Sequence, residues 1–161
     1  MAQEFRIGHG FDAHRFRRGR KLVLGGVVIP HPKGLVGHSD ADVLLHALIN
    51  ALLGAMGEGD IGQHFPDADP RYKGISSVTL LDTVLRLMRR KGYRFVNADV
   101  TLIAQEPKLA PRYGAMRKKV AMHIKVPEQR VNIKAATTEK LGWIGKGQGM
   151  AATAVVLLCR K

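Results

Sequence analysis

Asp12 and His14 stand two residues apart in GHGFDAHRF, just after two glycines that bracket His9. In an extended segment, positions i and i+2 point to the same side, so a carboxylate oxygen and an imidazole nitrogen can converge on one point. Those are suitable first ligands for a zinc-like ion. The pair alone is equally compatible with a solvated turn beside a basic loop. In HSDADVLLH, His46 follows Asp42 by one helical turn and Asn50 follows His46 by another, so the three share one flank. A histidine there can also be a satisfied residue at the edge of the core. Together with Asp12 and His14, however, it makes two histidines and one carboxylate with a fourth position open. That is the arrangement of a catalytic zinc rather than a structural one. Asp42 has two compatible readings: an outer acceptor for His46 or His14, and the partner of Ser39 in a capping box.

The elements that must position these residues can be read from periodicity. EFRIGHG and KLVLGGVVIP are rich in β-branched and apolar residues and predict two strands, the second closed by Pro30. His38 to Met56 predicts a helix capped by Ser39, with Leu45, Leu48, Ile49 and Leu52 as its core stripe. GEGDIGQHFPDADPRYKG is a long connection rich in Gly, Pro and Asp, of a length that is more often functional than idle. Ser77 opens a second helix whose Leu80, Leu81, Val84, Leu85 and Met88 face inward and which Gly92 stops. RFVNADVTLIAQ reads as a strand, PRYGAMRKKVAMHI as a third helix, and RVNIKAA and GMAATAVVLLCRK as strands. The order β-β-α-α-β-α-β-β predicts one α+β domain over residues 1–161, a mixed β-sheet covered by helices on one face. Its other face then needs a partner, so oligomerisation is expected.

Composition narrows the class. A chain of 161 residues with 45% hydrophobic and 24% charged residues suits one soluble domain. Its formal charge of +13 favours an anionic partner: nucleic acid, an acidic surface or a phosphorylated substrate. HRFRRGRK motivates a rival reading as a basic RNA-binding or assembly protein, although such a run is usually a solvated loop. The single cysteine, Cys159, cannot form an intrachain disulfide and reads as a packed core thiol in a reducing compartment. The apolar run around it has about ten residues, where a membrane-spanning helix needs about twenty. MAQEFR is too polar for a signal peptide, so the expected location is the cytoplasm, with no membrane partner. LGWIGKGQGM lacks the Ser or Thr of a phosphate-binding P-loop and predicts a tight turn from which Lys146 can reach phosphate.

GHGFDAH, GHSDADVLLHAL, GDIGQHFPDADPRYKG, AQEPKLAP and TTEKLG occur in that order within residues 6–147. Together they resemble the 2-C-methyl-D-erythritol 2,4-cyclodiphosphate synthase family of the non-mevalonate isoprenoid pathway. The resemblance implies a homotrimer whose sheets pack together, with active sites between neighbouring subunits. It implies conversion of 4-diphosphocytidyl-2-C-methyl-D-erythritol 2-phosphate into the cyclic diphosphate with release of CMP, a phosphorus–oxygen lyase reaction. Nucleic acid then has no part in the function. A third reading, a metal-dependent phosphohydrolase, would yield a linear product instead.

Carried over residue by residue, the resemblance makes Asp12, His14 and His46 the ligands of one Zn2+ per subunit. It puts His38 and Thr137 near the transition state, and has Glu139 hold Mg2+ or Mn2+ on the substrate diphosphate. Asp60, Ile61 and Gly62 would border the methylerythritol moiety with Ser39 close by, and Phe65, Pro66, Asp67, Ala68 and Asp69 would line the loop near the phosphates. Ala104, Gln105, Glu106, Pro107, Lys108, Leu109 and Ala110 would form the cytidine pocket with Ala136 and Thr138, while Trp143 and Lys146 complete the substrate contacts. Three positions depart from the family pattern. Asn50 stands where an Asp is usual, Ala136 where a Thr is frequent, and Lys146 where an Arg is. Lys keeps the charge for a phosphate and loses the bidentate fork.

Overall fold

The strand that carries GHGFDAH does not stop there: β1 spans Glu4–Arg18. The computed structural model describes residues 3–160, so both ends of the predicted 1–161 domain lie outside the described residues. Along β1, Gly8 and Gly10 are buried while Phe5, Ile7, His9 and Phe11 are exposed, the alternation of a strand with two different faces. Asp12 and His14 continue the parity of the two glycines.

β1 pairs antiparallel with β7 (Gly149–Arg160), and β7 pairs antiparallel with β5 (Arg94–Ile103). Parallel to β5 runs β6 (Val131–Ala136). A three-residue strand, β4 (Lys33–Leu35), lines the other edge of β1, giving the sheet order β4-β1-β7-β5-β6. KLVLGGVVIP is not one strand but a hairpin, β2 (Leu22–Leu24) and β3 (Val27–Ile29). Gly25 and Gly26 turn it, with φ of 58° and 73°, the backbone a two-residue turn between twisted strands requires. HRFRRGRK, expected as loop, is therefore largely strand, because Phe16, Arg17 and Arg18 pair with Leu35, Gly34 and Lys33.

Helix α1 (Val43–Met56) lies across the sheet against β1 and β7. Six of its aliphatic residues, Leu44, Leu45, Leu48, Ile49, Leu52 and Leu53, are at most 1% exposed. Each contributes about 1.5–3 kcal/mol by leaving water. What lets the helix approach is the pair of strand glycines. A Cβ on Gly8 would sit 1.9 Å from the Ala51 carbonyl oxygen, and one on Gly10 2.0 Å from that of Ala47.

The helix begins later than its sequence predicts. Asp42, not Ser39, is the N-cap, and its side chain accepts from the Leu45 N–H. No Ser39–Asp42 capping box forms. The Asp42 carboxylate reaches neither histidine ring; its oxygens take the N–H groups of Gly25 and Gly26 and tie the β2–β3 turn to α1. The long connection that follows carries a short helix, α2 (Ile61–His64), and a 3-10 turn at Pro70–Tyr72. Helix α3 (Ser77–Arg90) is capped by Ser76 and packs on α1 with the five predicted apolar residues buried. Helix α4 (Tyr113–Ile124) packs against α3 and β6, and a four-residue helix, α5 (Gly142–Gly145), precedes β7. Cys159 is buried as expected. No helix among the described residues is long and apolar enough to cross a membrane.

Candidate active site

The Gly8 and Gly10 approach sets β1 and α1 close enough for their side chains to meet beyond it. Asp12 Oδ2 lies 2.8 Å from His14 Nε2 and 2.9 Å from His46 Nδ1. The two imidazole nitrogens are 3.1 Å apart. The other ring nitrogens are engaged elsewhere. His14 Nδ1 donates to the Val36 carbonyl at 2.8 Å, leaving Nε2 turned to Asp12. His46 Nε2 faces the hydroxyls of Ser77 at 2.9 Å and Ser39 at 3.1 Å, leaving Nδ1 turned to Asp12.

One carboxylate and two imidazoles, each ring held from behind, are a donor set that fits zinc with an open fourth position. A tetrahedral zinc with bonds of about 2.1 Å spaces its donors by about 3.4 Å. The three atoms are thus a few tenths of an ångström from a ligating arrangement. Among the described residues this is the cluster of histidine and carboxylate groups close enough to hold an ion.

Electrostatics within the cluster follow from its burial and its pairing. Burial by itself would raise the Asp12 pKa, but hydrogen bonds from His14 and His46 outweigh it and bring the value down to about 2. For His14 burial acts downward, and the bond and charge of Asp12 outweigh it, with a smaller pull from Asp67; the net shift is upward. Asp12 is therefore ionised across the physiological range.

The cluster opens into a cavity of about 250 Å³ walled by Gly37, His38, Ser39, Ile61, Gly62, Phe65, Asp67 and Tyr72. The 37–42 segment on its rim is held at several points. Gly74 N–H donates to the His38 carbonyl at 2.7 Å, Asp40 N–H to Ile75, and the Arg20 guanidinium to the Ser39 carbonyl at 2.9 Å. His38 Nε2 reaches the Asp69 carbonyl at 3.3 Å. Asp60 caps α2 through the Gln63 N–H, and Asn50 Oδ1 accepts the Ile61 N–H at 2.9 Å. Pro66 and Ala68 are exposed on the same loop, and Asp69 is paired with Arg71.

The remaining predicted residues gather elsewhere. Ala104, Gln105, Pro107, Lys108, Leu109 and Ala110 meet Ala136 and Thr137 around a second cavity of about 350 Å³. Thr137 Oγ1 donates to Glu139 at 2.8 Å, and Glu139 and Lys140 both adopt left-handed backbone, φ 51° and 65°. Thr138 donates to the Leu141 carbonyl, and Lys140 N–H to Gln105, which joins the two segments of this pocket. Glu106 does not line it; it turns to Lys33 Nζ at 3.3 Å. Trp143 is exposed and borders a surface hollow with Ala13, His14, Arg15 and Gln148, and Lys146 is exposed. The first cavity includes Asp12, His14 and His46, the second includes Thr137, and neither includes both sets.

Sequence reasoning missed Asp40, Ser77 and Arg20. Ser77, the first residue of α3, meets the His46 ring, and Asp40, in the bend before α1, meets Ser77; no spacing along the chain links the three.

The fold and the cluster can be set beside known proteins. The YgbB family matches residues 5–159. The 2-C-methyl-D-erythritol 2,4-cyclodiphosphate synthase of Syntrophotalea carbinolica is 61% identical over 153 residues, 95% of this chain and 93% of that protein. Among solved structures, the bifunctional IspDF of Campylobacter jejuni superposes with a TM-score of 0.96 at 43% identity, over 99% of this chain and 43% of that one. A 2C-methyl-D-erythritol-2,4-cyclodiphosphate synthase with CDP bound superposes with a TM-score of 0.87 at 40% identity, over 95% of this chain and 99% of that one.

Proposed function

The chain belongs to the YgbB family, and from that premise we propose that it is a cyclodiphosphate synthase of the non-mevalonate pathway. It converts 4-diphosphocytidyl-2-C-methyl-D-erythritol 2-phosphate into 2-C-methyl-D-erythritol 2,4-cyclodiphosphate and CMP. The observation that carries this reading is the Asp12, His14 and His46 cluster at the mouth of a cavity, in a chain so close to these synthases along its length.

The reaction suits the residues. The nucleophile is the substrate's own 2-phosphate, anionic at neutral pH, so no strong general base is needed. Its oxygen bonds to the β-phosphorus while the bond from that phosphorus to the bridging α–β oxygen breaks, and CMP leaves with the electron pair. Catalysis is then positioning and charge neutralisation. Asp12, His14 and His46 hold Zn2+, and Glu139 holds Mg2+ or Mn2+. When bound, these ions supply Lewis-acid polarisation of the β-phosphate and neutralisation of the diphosphate. His38, with Thr137 and Thr138, donates hydrogen bonds to the phosphoryl oxygens as charge develops. Asp60, Ile61 and Gly62 seat the methylerythritol unit. The Ala104–Ala110 segment takes the cytidine, and exposed Lys146 supplies a further cation for phosphate.

Assembly completes the site. Phe5, Ile7, Phe11 and Val155 are exposed large apolar residues on one sheet face, Ile7 by 73%. Three copies packing by that face form a homotrimer, with the metal cavity of one subunit set against the cytidine pocket of the next. The compartment we assign is the cytoplasm. Incubation with the diphosphocytidyl substrate, followed by phosphorus NMR, tests the reading: a cyclic diphosphate and stoichiometric CMP are expected. A linear phosphate product would instead mark a hydrolase, and metal-loaded protein that releases no CMP would overturn the assignment.

A further inference from the structure

We propose that Ser77 and Asp40 are positioning residues for the metal centre, a hydrogen-bonded relay that fixes His46 in the tautomer offering Nδ1 to the ion. The inference rests on the metal reading of Asp12, His14 and His46.

The direction of each bond can be worked out. Ser77 Oγ lies 2.5 Å from Asp40 Oδ1, a carboxylate oxygen that can only accept, so the hydroxyl proton of Ser77 goes there. The Ser77 N–H goes to the other oxygen, Oδ2, at 3.1 Å. What the Ser77 oxygen has left for His46 Nε2, 2.9 Å away, is a lone pair, so Nε2 must carry the proton. Ser39 Oγ stands 3.1 Å from the same nitrogen while accepting the Ala41 N–H at 3.1 Å. With Nε2 committed to Ser77, it is Nδ1, 2.9 Å from Asp12 Oδ2, whose lone pair is left for an ion that takes the place of the hydrogen bond to Asp12.

Two features set this apart from ordinary core hydrogen bonding. Ser77 is wholly buried, yet the cap of α3 is supplied by its neighbour, Ser76, which accepts the Val78 N–H. The helix start therefore does not require the Ser77 hydroxyl. Asp40 in turn is pinned by its own N–H to the Ile75 carbonyl at 3.0 Å, so the carboxylate is delivered to Ser77 by a fixed backbone. Outer partners of this kind orient a ligating imidazole and raise its basicity, and their loss typically weakens metal binding about 10–100-fold.

The test is zinc affinity, measured by competition with a chromophoric chelator, on the full chain and on Ser77→Ala and Asp40→Asn. Ser77→Ala is expected to bind zinc about 10–100-fold more weakly. Asp40→Asn should weaken it in the same direction and by less. Nitrogen-15 shifts of the His46 ring in the metal-free protein supply a readout that a purely structural role would not move. They should report Nε2 protonated in the parent chain and a lower share of Nε2–H in Ser77→Ala. Zinc affinity within about threefold of the parent in both variants, far short of the outer-partner range, overturns the relay. So does an unchanged ring spectrum. A parent chain that takes up no zinc overturns the metal reading and the relay together. Should Ser77→Ala fail to fold, Asp40→Asn decides alone.

Discussion

Asp42 Oδ2 accepts the Gly26 N–H at 2.7 Å with no access to water. Oδ1 takes the N–H groups of Gly25 at 2.9 Å and Leu45 at 3.1 Å, so one buried carboxylate joins the β2–β3 turn to the start of α1. Burial pushes its pKa from 3.8 up to about 6, against the pull of those three donors. The folded chain thus holds a proton that the unfolded chain has already released between these values. This contribution is fully present below pH 3.8 and is lost as pH rises through about 6. Its size is of order 2–3 kcal/mol. Urea unfolding of metal-free protein should therefore show Asp42→Asn gaining on the parent chain as pH goes from acid to neutral. A stability gap independent of pH would contradict the assignment.

Gly10→Ala should cost about 3 kcal/mol or more, because the new methyl meets helix backbone and no side chain can swing aside. Thermal melts of Gly10→Ala beside Gly54→Ala make the comparison, since a Cβ at Gly54 meets nothing nearer than 3.7 Å. Equal melting temperatures would refute the close approach as the cause.

How much of this was legible in the sequence depends on the range of the interaction. Asp12, His14 and His46 could be found because each pair of elements obeys a local period: alternation along β1, and one helical turn along α1. The five apolar residues of α3 followed the same logic. Failures came where a distant partner decides. KGL at Lys33–Leu35 has no strand pattern of its own and is strand because Phe16–Arg18 pairs with it. Ser39 looked like the better cap, but Asp42 has the Gly25 and Gly26 N–H groups to satisfy as well as that of Leu45. The Gly25–Gly26 turn is local and does stand in KLVLGGVVIP, where two adjacent glycines divide the apolar run into the arms of a hairpin.

His46→Ala should leave less than about 1% of the CMP-releasing activity, since loss of a direct ligand must exceed the 10–100-fold typical of an outer partner. Metal analysis after gel filtration should fall from one zinc per chain towards none. Retention of bound zinc would remove His46 from the ligand set.

Asn50 braces the start of α2 on the rim of the first cavity. Its Oδ1 accepts the Ile61 N–H at 2.9 Å, and its Nδ2 donates to the Phe11 carbonyl at 3.4 Å, beside Asp12. Asn50→Ala loses about 0.5–1.5 kcal/mol of hydrogen bonding, so KM should rise up to about tenfold. Asn50→Asp keeps the acceptor for Ile61 and should change KM less. Steady-state kinetics with both variants check this, and an unaltered KM in Asn50→Ala would show the loop to be held by other contacts.

Ile7→Asp places a charge in the exposed apolar face of β1. Sedimentation should show monomers that still bind zinc through Asp12, His14 and His46 but release no CMP. A monomer with full activity would disprove the shared site.

The closeness of β1 to α1 bears on how the molecule comes apart. Two elements in backbone contact at Gly8 and Gly10 cannot separate a little at a time, because no side chains between them can loosen first. Asp12 and His46 ride on those same two elements, so the strand, the helix and the ligand cluster between them form one cooperative unit, and an ion bound there joins it. Release of the metal by thermal opening and global melting should coincide, and the amides flanking Asp12 and His46 should exchange with solvent only when the whole chain unfolds.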